Sequence, residues 1–169
     1  MFIKSLSLTA LLTAALMSAS AYAHDDFAGT LGTSTTATDI ILFKCSTQVG
    51  ITVASTTVRD DNPLGGFNNT PPNISVQIGN ANSTSTCTGA TGWTAVKTTT
   101  GEGTWSPRTT DITVSQTSPA NYYCIKVSKA TATANQDDYR LNHHCEITRG
   151  ATGMNVHQQS SLIGYTQNQ

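Results

Sequence analysis

Several short segments alternate apolar and polar residues with a period of two. After residue 23, none keeps the 3.6-residue apolar period of a helix. Successive side chains of an extended strand point to opposite faces, so this alternation predicts strands with one buried face. Turn-forming residues separate the segments, as in Asp60-Asp61-Asn62-Pro63. We therefore expect an all-β chain, an antiparallel β-sandwich of jelly-roll type. The predicted strands span 40–45, 50–54, 74–78, 111–114, 123–127 and 139–147.

The first 23 residues have the pattern of a secretory signal peptide. Lys4 supplies a positive charge, an apolar run follows, and Ala21-Tyr22-Ala23 fits the small-x-small cleavage pattern. The apolar run is too short to span a bilayer. The expected protein is therefore secreted, extracellular or at the cell surface, with the periplasm as the alternative, and has no membrane span. Its expected organisation is a signal peptide at 1–23, a sandwich domain at 24–149 and a polar C-terminal tail at 150–169.

All four cysteines lie after the predicted cleavage site, and an even number in an exported chain predicts two disulfides. Cys45 and Cys145 fall on the apolar faces of their predicted strands. Cys124 falls on the outer face of its strand, and Cys87 lies in a polar loop. The expected pairs are therefore Cys45–Cys145 through the core and Cys87–Cys124 at the periphery.

The charge pattern argues against several function classes. Charged residues make up 11% of the chain, the formal net charge is −1, and Lys and Arg do not cluster. Binding to nucleic acid or to anionic membranes therefore has no electrostatic support. The sequence also lacks Gly-x-Ser-x-Gly and His-Glu-x-x-His motifs, and the predicted disulfides leave no free thiol. We expect a protein that is not an enzyme.

Short motifs near the two ends of the domain carry a family resemblance. Phe27-Ala28-Gly29-Thr30-Leu31 precedes Thr38-Asp39-Ile40-Ile41-Leu42-Phe43, and Asn121-Tyr122-Tyr123-Cys124-Ile125-Lys126-Val127 precedes Asp138-Tyr139-Arg140-Leu141. In this order they resemble the bacterial pre-peptidase C-terminal domain, a small jelly-roll-like sandwich of exported proteins. The resemblance implies an accessory, stabilising or adhesive role and supplies no catalytic residues.

Cleavage after Ala23 would make His24 the first residue and a candidate copper ligand, whereas cleavage after Ala21 would begin the chain at Tyr22. The α-amine and imidazole of His24 offer two nitrogen donors, which suit Cu(II). The candidates for a second ligand are His144, His157 and the inward-facing His143. A small copper-binding protein is therefore the alternative function.

Two other residue sets suggest ligands. Asp60-Asp61-Asn62 and Asp137-Asp138 are loop carboxylates that, with backbone carbonyls, suit Ca²⁺. Paired Asp residues are also common at turns without any metal. Trp93 and Trp105 suit stacking on a polysaccharide, as in a carbohydrate-binding module, or each covers part of the sandwich.

The two ends of the mature chain combine apolar residues with a weakly charged surround. Phe27 and Leu31 lie in 25–36, and Leu162, Ile163 and Tyr165 lie in 160–169. Such segments could leave the domain and add a strand to a neighbouring subunit, or be frayed termini. The main expectation is therefore a structural or adhesive subunit that self-assembles into a homo-oligomer or filament.

Overall fold

The computed structural model describes residues 25–46, 51–61, 73–115, 119–132, 134–149, 154–158 and 160–167. Within these ranges the chain forms strands and no helix, and so no helix able to cross a membrane. The strands are β1 (Asp25–Leu31), β2 (Thr38–Cys45), β3 (Ile51–Asp61), β4 (Ile74–Asn80), β5 (Lys97–Thr98), β6 (Ile112–Val114), β7 (Tyr122–Lys129), β8 (Asp137–Arg149), β9 (Met154–Gln158) and β10 (Ser160–Gln167).

Two antiparallel sheets form the expected sandwich. The first has the order β1-β8-β3-β6, and β9 pairs with β8 beyond the end of β1. The second has the order β10-β2-β7-β4-β5. The strands predicted from the alternation are present, and the all-β sandwich is confirmed.

The core lies between the sheets, where the apolar faces of the strands meet. Its largest fully buried side chains include Tyr123, Tyr139 and Phe43. A second, smaller cluster lies on the outer face of the second sheet, where the loop after β4 covers β2 and β7. This cluster contains Leu42 and Cys124, which alternate with the inward residues of their strands.

Both expected disulfides are present. Cys45 of β2 and Cys145 of β8 are joined across the core, with Cα atoms 5.8 Å apart, so this bond links the two sheets. Cys87 and Cys124 are joined in the outer cluster, with Cα atoms 5.9 Å apart, so this bond holds the loop after β4 against β7. Two disulfides indicate an oxidising environment, as found outside the cell or in the periplasm.

The expected C-terminal boundary at residue 149 is wrong. Residues 154–158 pair with β8 as β9, and residues 160–167 pair with β2 as β10. The polar composition of this region indicated a tail, but a strand's ladder of hydrogen bonds uses backbone groups that every non-proline residue carries. The sandwich therefore includes the C-terminal strands.

Candidate functional site

The two terminal strands lie on the same side of the sandwich. β1 is at the edge of the first sheet and β10 is at the edge of the second. Phe27 of β1 joins them, because its ring centroid lies 5.5 Å from that of Tyr165 on β10 and 6.0 Å from that of Phe43 in the core. β1 and β10 therefore cover the same part of the core.

β10 carries exposed apolar side chains, and its pairing with β2 shifts register at two places along the strand. Leu162, Ile163 and Tyr165 are 46%, 44% and 39% exposed, and the strand contains no charged residue. At its start, Ser160 Oγ lies 2.8 Å from Nδ1 of the buried His143, which also lies 3.0 Å from Tyr123 Oη. β10 is therefore anchored at its start and exposes apolar side chains in its middle.

The opposite side of the sandwich has shorter edge strands. There, β5 has two residues and β6 has three. The segment before β6 also covers the edge of β3, because Ser106 N and Thr109 N donate to backbone oxygens of β3 at 2.7 and 3.0 Å. Short or covered edges resist pairing with another chain. The seven- and eight-residue edges of β1 and β10 are therefore the better candidates for contact between molecules.

The Cys45–Cys145 disulfide lies directly behind the terminal strands. It joins β2, the partner of β10, to β8, the partner of β1. The two strands that hold the termini are thus covalently linked to each other. Without β1 or β10, the disulfide would still link the two sheets.

At one end of the sandwich, aspartates point into the space between the sheets. Asp39 on β2, Asp60 on β3 and Asp137 on β8 are 0%, 0% and 2% exposed. The Tyr139 hydroxyl donates to Asp39 Oδ2 at 2.8 Å. In contrast, both carboxyl oxygens of Asp60 and Oδ2 of Asp137 are buried without a hydrogen-bond donor among the residues that the structure describes.

The buried carboxyls of Asp60 and Asp137 have perturbed pKa values. Burial, followed by the charge of Glu102, raises the pKa of Asp60 to about 6. Burial, followed by the charge of Asp60, raises the pKa of Asp137 to about 7, although the Lys129 ammonium acts in the opposite direction.

Lys129 reaches the same end of the sandwich from β7. Its Nζ donates to the carbonyl oxygens of Gly32 at 2.7 Å and Ser34 at 3.1 Å, and also to that of Asn135. These carbonyls belong to the β1–β2 and β7–β8 connections, so the ammonium ties two loops together. Burial lowers the pKa of Lys129, and the charge of Asp137 partly offsets this.

A shallow groove of about 720 Å³ lies at the same end, on the outer face of the first sheet. Charged residues of β3 and β8 line it, and Asp61 forms ion pairs with both arginines, Arg59 and Arg140. Arg59 also lies over the ring of Trp105, 5.5 Å from its centroid, and Trp105 is 40% exposed.

The two tryptophans lie on opposite outer faces. Trp105 lies against Arg59, which alternates with the inward Val58 on β3 of the first sheet. Trp93 packs on the outer cluster of the second sheet, beneath the Nζ of Lys126 at 5.1 Å from the ring centroid. They therefore do not form one platform for a polysaccharide, and each covers a separate part of the sandwich.

The candidate metal ligands are separated in the same way. His143 is buried in the core, while His144 is half-buried on the outer face of β8. The backbone of His157 pairs with Glu146, and both His24 and Asn62 lie outside the described residues. Among the described residues, no three His, Cys, Asp or Glu side chains gather as a metal site. The copper hypothesis stays a prediction.

Comparison with known proteins identifies no family for this chain. No family model and no curated protein matches this chain. The resemblance to the pre-peptidase C-terminal domain stays a prediction. The sequence contains some indication of two residues of the site. Asp39 interrupts an apolar strand and Lys129 ends one, but neither pattern shows which groups these side chains contact.

Proposed function

We propose that this protein is an exported, non-catalytic structural subunit that assembles with copies of itself by exchanging a terminal strand. The observation that carries the proposal is that β1 and β10 are edge strands on one side of the sandwich, joined by the Phe27–Tyr165 contact. Main-chain hydrogen bonds give affinity when a strand is added to a sheet edge, and side chains in the groove give specificity.

Exchange needs a site that the departing strand leaves behind. Phe27 packs on Phe43 and Tyr139, so withdrawal of β1 would uncover aromatic surface between β8 and β2. A copy of the same strand from a neighbour would restore these contacts and the lost backbone hydrogen bonds. Such exchange creates few new contacts and is therefore a low-cost route to assembly.

The body that remains is suited to exchange. The Cys45–Cys145 disulfide keeps β2 and β8 together whichever molecule supplies the terminal strands. The exposed Leu162 and Ile163 add apolar area at the same edge. A disulfide-linked body with exchangeable ends fits a subunit of a filament or matrix outside the cell.

Cysteine pairs placed across the strand register test the proposal. Ser161 of β10 lies opposite Lys44 of β2, so the double variant Ser161→Cys/Lys44→Cys links whichever molecules share that pair. The matched control is Thr57→Cys/Asn142→Cys, which lies between β3 and β8 within the body. Both variants are concentrated, mildly oxidised and compared on non-reducing denaturing gels and by electron microscopy.

Exchange predicts a ladder of disulfide-linked multimers for the first variant and monomers for the control. Deletion of 160–167 should abolish the filaments. Filaments whose Ser161→Cys/Lys44→Cys subunits run only as monomers would refute strand exchange by β10. Sedimentation of the full mature chain as a monomer at high concentration would refute self-assembly altogether.

A further inference from the structure

The Asp60 and Asp137 carboxyls form a pair between the sheets. β3 and β8 are antiparallel neighbours in which Asp60 lies opposite Tyr139, so Asp137 is its diagonal neighbour on the same face. Both side chains share their face with core residues such as Val58 and Tyr139. The fold therefore brings together two carboxyls that are 77 positions apart in the chain.

This pair has an unmet need for positive charge. Both Asp60 oxygens and Asp137 Oδ2 are buried without a donor among the described residues. An ionised carboxylate in such a place is costly unless it is paired or coordinates a metal. Lys129 brings a positive charge near Asp137, whereas Glu102 and Asp61 near Asp60, and Asp138 near Asp137, bring negative ones.

The chemistry of the unpartnered atoms selects the ligand. Ionised carboxylates only accept hydrogen bonds, and oxygen atoms are the ligands that hard divalent cations prefer. Ca²⁺ accepts six to eight oxygens in flexible geometry, including backbone carbonyls and water, whereas Mg²⁺ needs a near-ideal octahedron. Two carboxylates supply only part of a coordination shell, so the site suits Ca²⁺, which accepts carbonyls and water in a flexible geometry.

We propose that Asp60 and Asp137 are the carboxylate ligands of a Ca²⁺ site between the two sheets. The ion would bridge β3 and β8. Backbone carbonyls or water would complete its coordination. This site does not depend on strand exchange, because neither aspartate lies on a terminal strand.

Calcium titration of the full mature protein at pH 7.5 tests the site. Thermal unfolding is followed in EDTA and in CaCl₂, and binding is measured by calorimetry. With Ca²⁺ at 100 times its Kd, we expect Tm to rise by about 5–10 °C and one ion to bind per chain. MgCl₂ at the same concentration should shift Tm less.

Asp60→Asn/Asp137→Asn should lose the calcium-dependent shift, because amide groups keep the shape but remove both charges. Asp111→Asn removes an exposed carboxyl and serves as the matched control, with a shift equal to that of the unchanged protein. If the double variant does not fold, Asp137→Asn alone should weaken the Kd at least 10-fold. No Ca²⁺ binding by the unchanged protein, or an equal shift in the double variant, would overturn the proposal.

Discussion

In EDTA, the Asp60–Asp137 pair should make the protein less stable as the pH rises from 5 to 8. In the folded state the pKa values of Asp60 and Asp137 are raised to about 6 and about 7 from the ordinary value of 3.8 for an aspartate side chain. A folded pKa above the unfolded one means that the folded state holds the proton more tightly. The stabilisation is therefore complete below the unfolded pKa and is lost as pH rises through the folded pKa.

The size of the loss follows from the two pKa values. Between pH 5 and 8, integration of the proton linkage gives a decrease in the free energy of unfolding of about 4 kcal/mol. Asp137, with the higher pKa, accounts for the larger part. Asp60→Asn/Asp137→Asn has neither proton to release, so this contribution should be absent.

Urea unfolding at pH 5, 6, 7 and 8 in EDTA measures this effect. The informative quantity is the difference in the free energy of unfolding between the unchanged protein and the double variant at each pH, because titratable groups away from the pair contribute equally to both. The two proteins should diverge towards pH 8, where the double variant is more stable, while Asp111→Asn should follow the unchanged protein. Parallel pH profiles for the unchanged protein and the double variant would refute the argument from burial.

Two further perturbations test the core. Replacing Cys45 and Cys145 together with alanine opens a disulfide that spans 100 positions and should lower the free energy of unfolding by about 4–5 kcal/mol, measured in urea; a loss below about 1 kcal/mol would contradict the entropic estimate. Gly29→Ala places a Cβ on the ring of buried Tyr139 and should cost about 1–3 kcal/mol by the same assay, and unchanged stability would show that β1 does not pack as described.

Side-chain direction along a strand is a local property, and it accounts for what the sequence predicted well. The two-residue alternation placed Cys45 and Cys145 on inward faces and Cys124 on an outward one, and these faces led to the observed pairs. The same pattern predicted most central strands. It did not identify β10 as a strand of the domain's own sheet, because the backbone hydrogen bonds that hold β10 on β2 leave no alternation in its side chains.

The candidate ligands needed the tertiary structure. The sequence placed Asp60 and Asp137 beside turns, where aspartate is common on the surface, whereas the register of β3 against β8 buries them together. The sequence suggested that Trp93 and Trp105 stack on a polysaccharide, but the fold places the two rings on opposite faces of the sandwich. The alternation of side chains, which depends only on neighbours along the chain, and the even number of cysteines thus determined a disulfide-linked β-sandwich. Which distant groups meet was decided by strand order and register, since these depend on how whole sheets pair and pack.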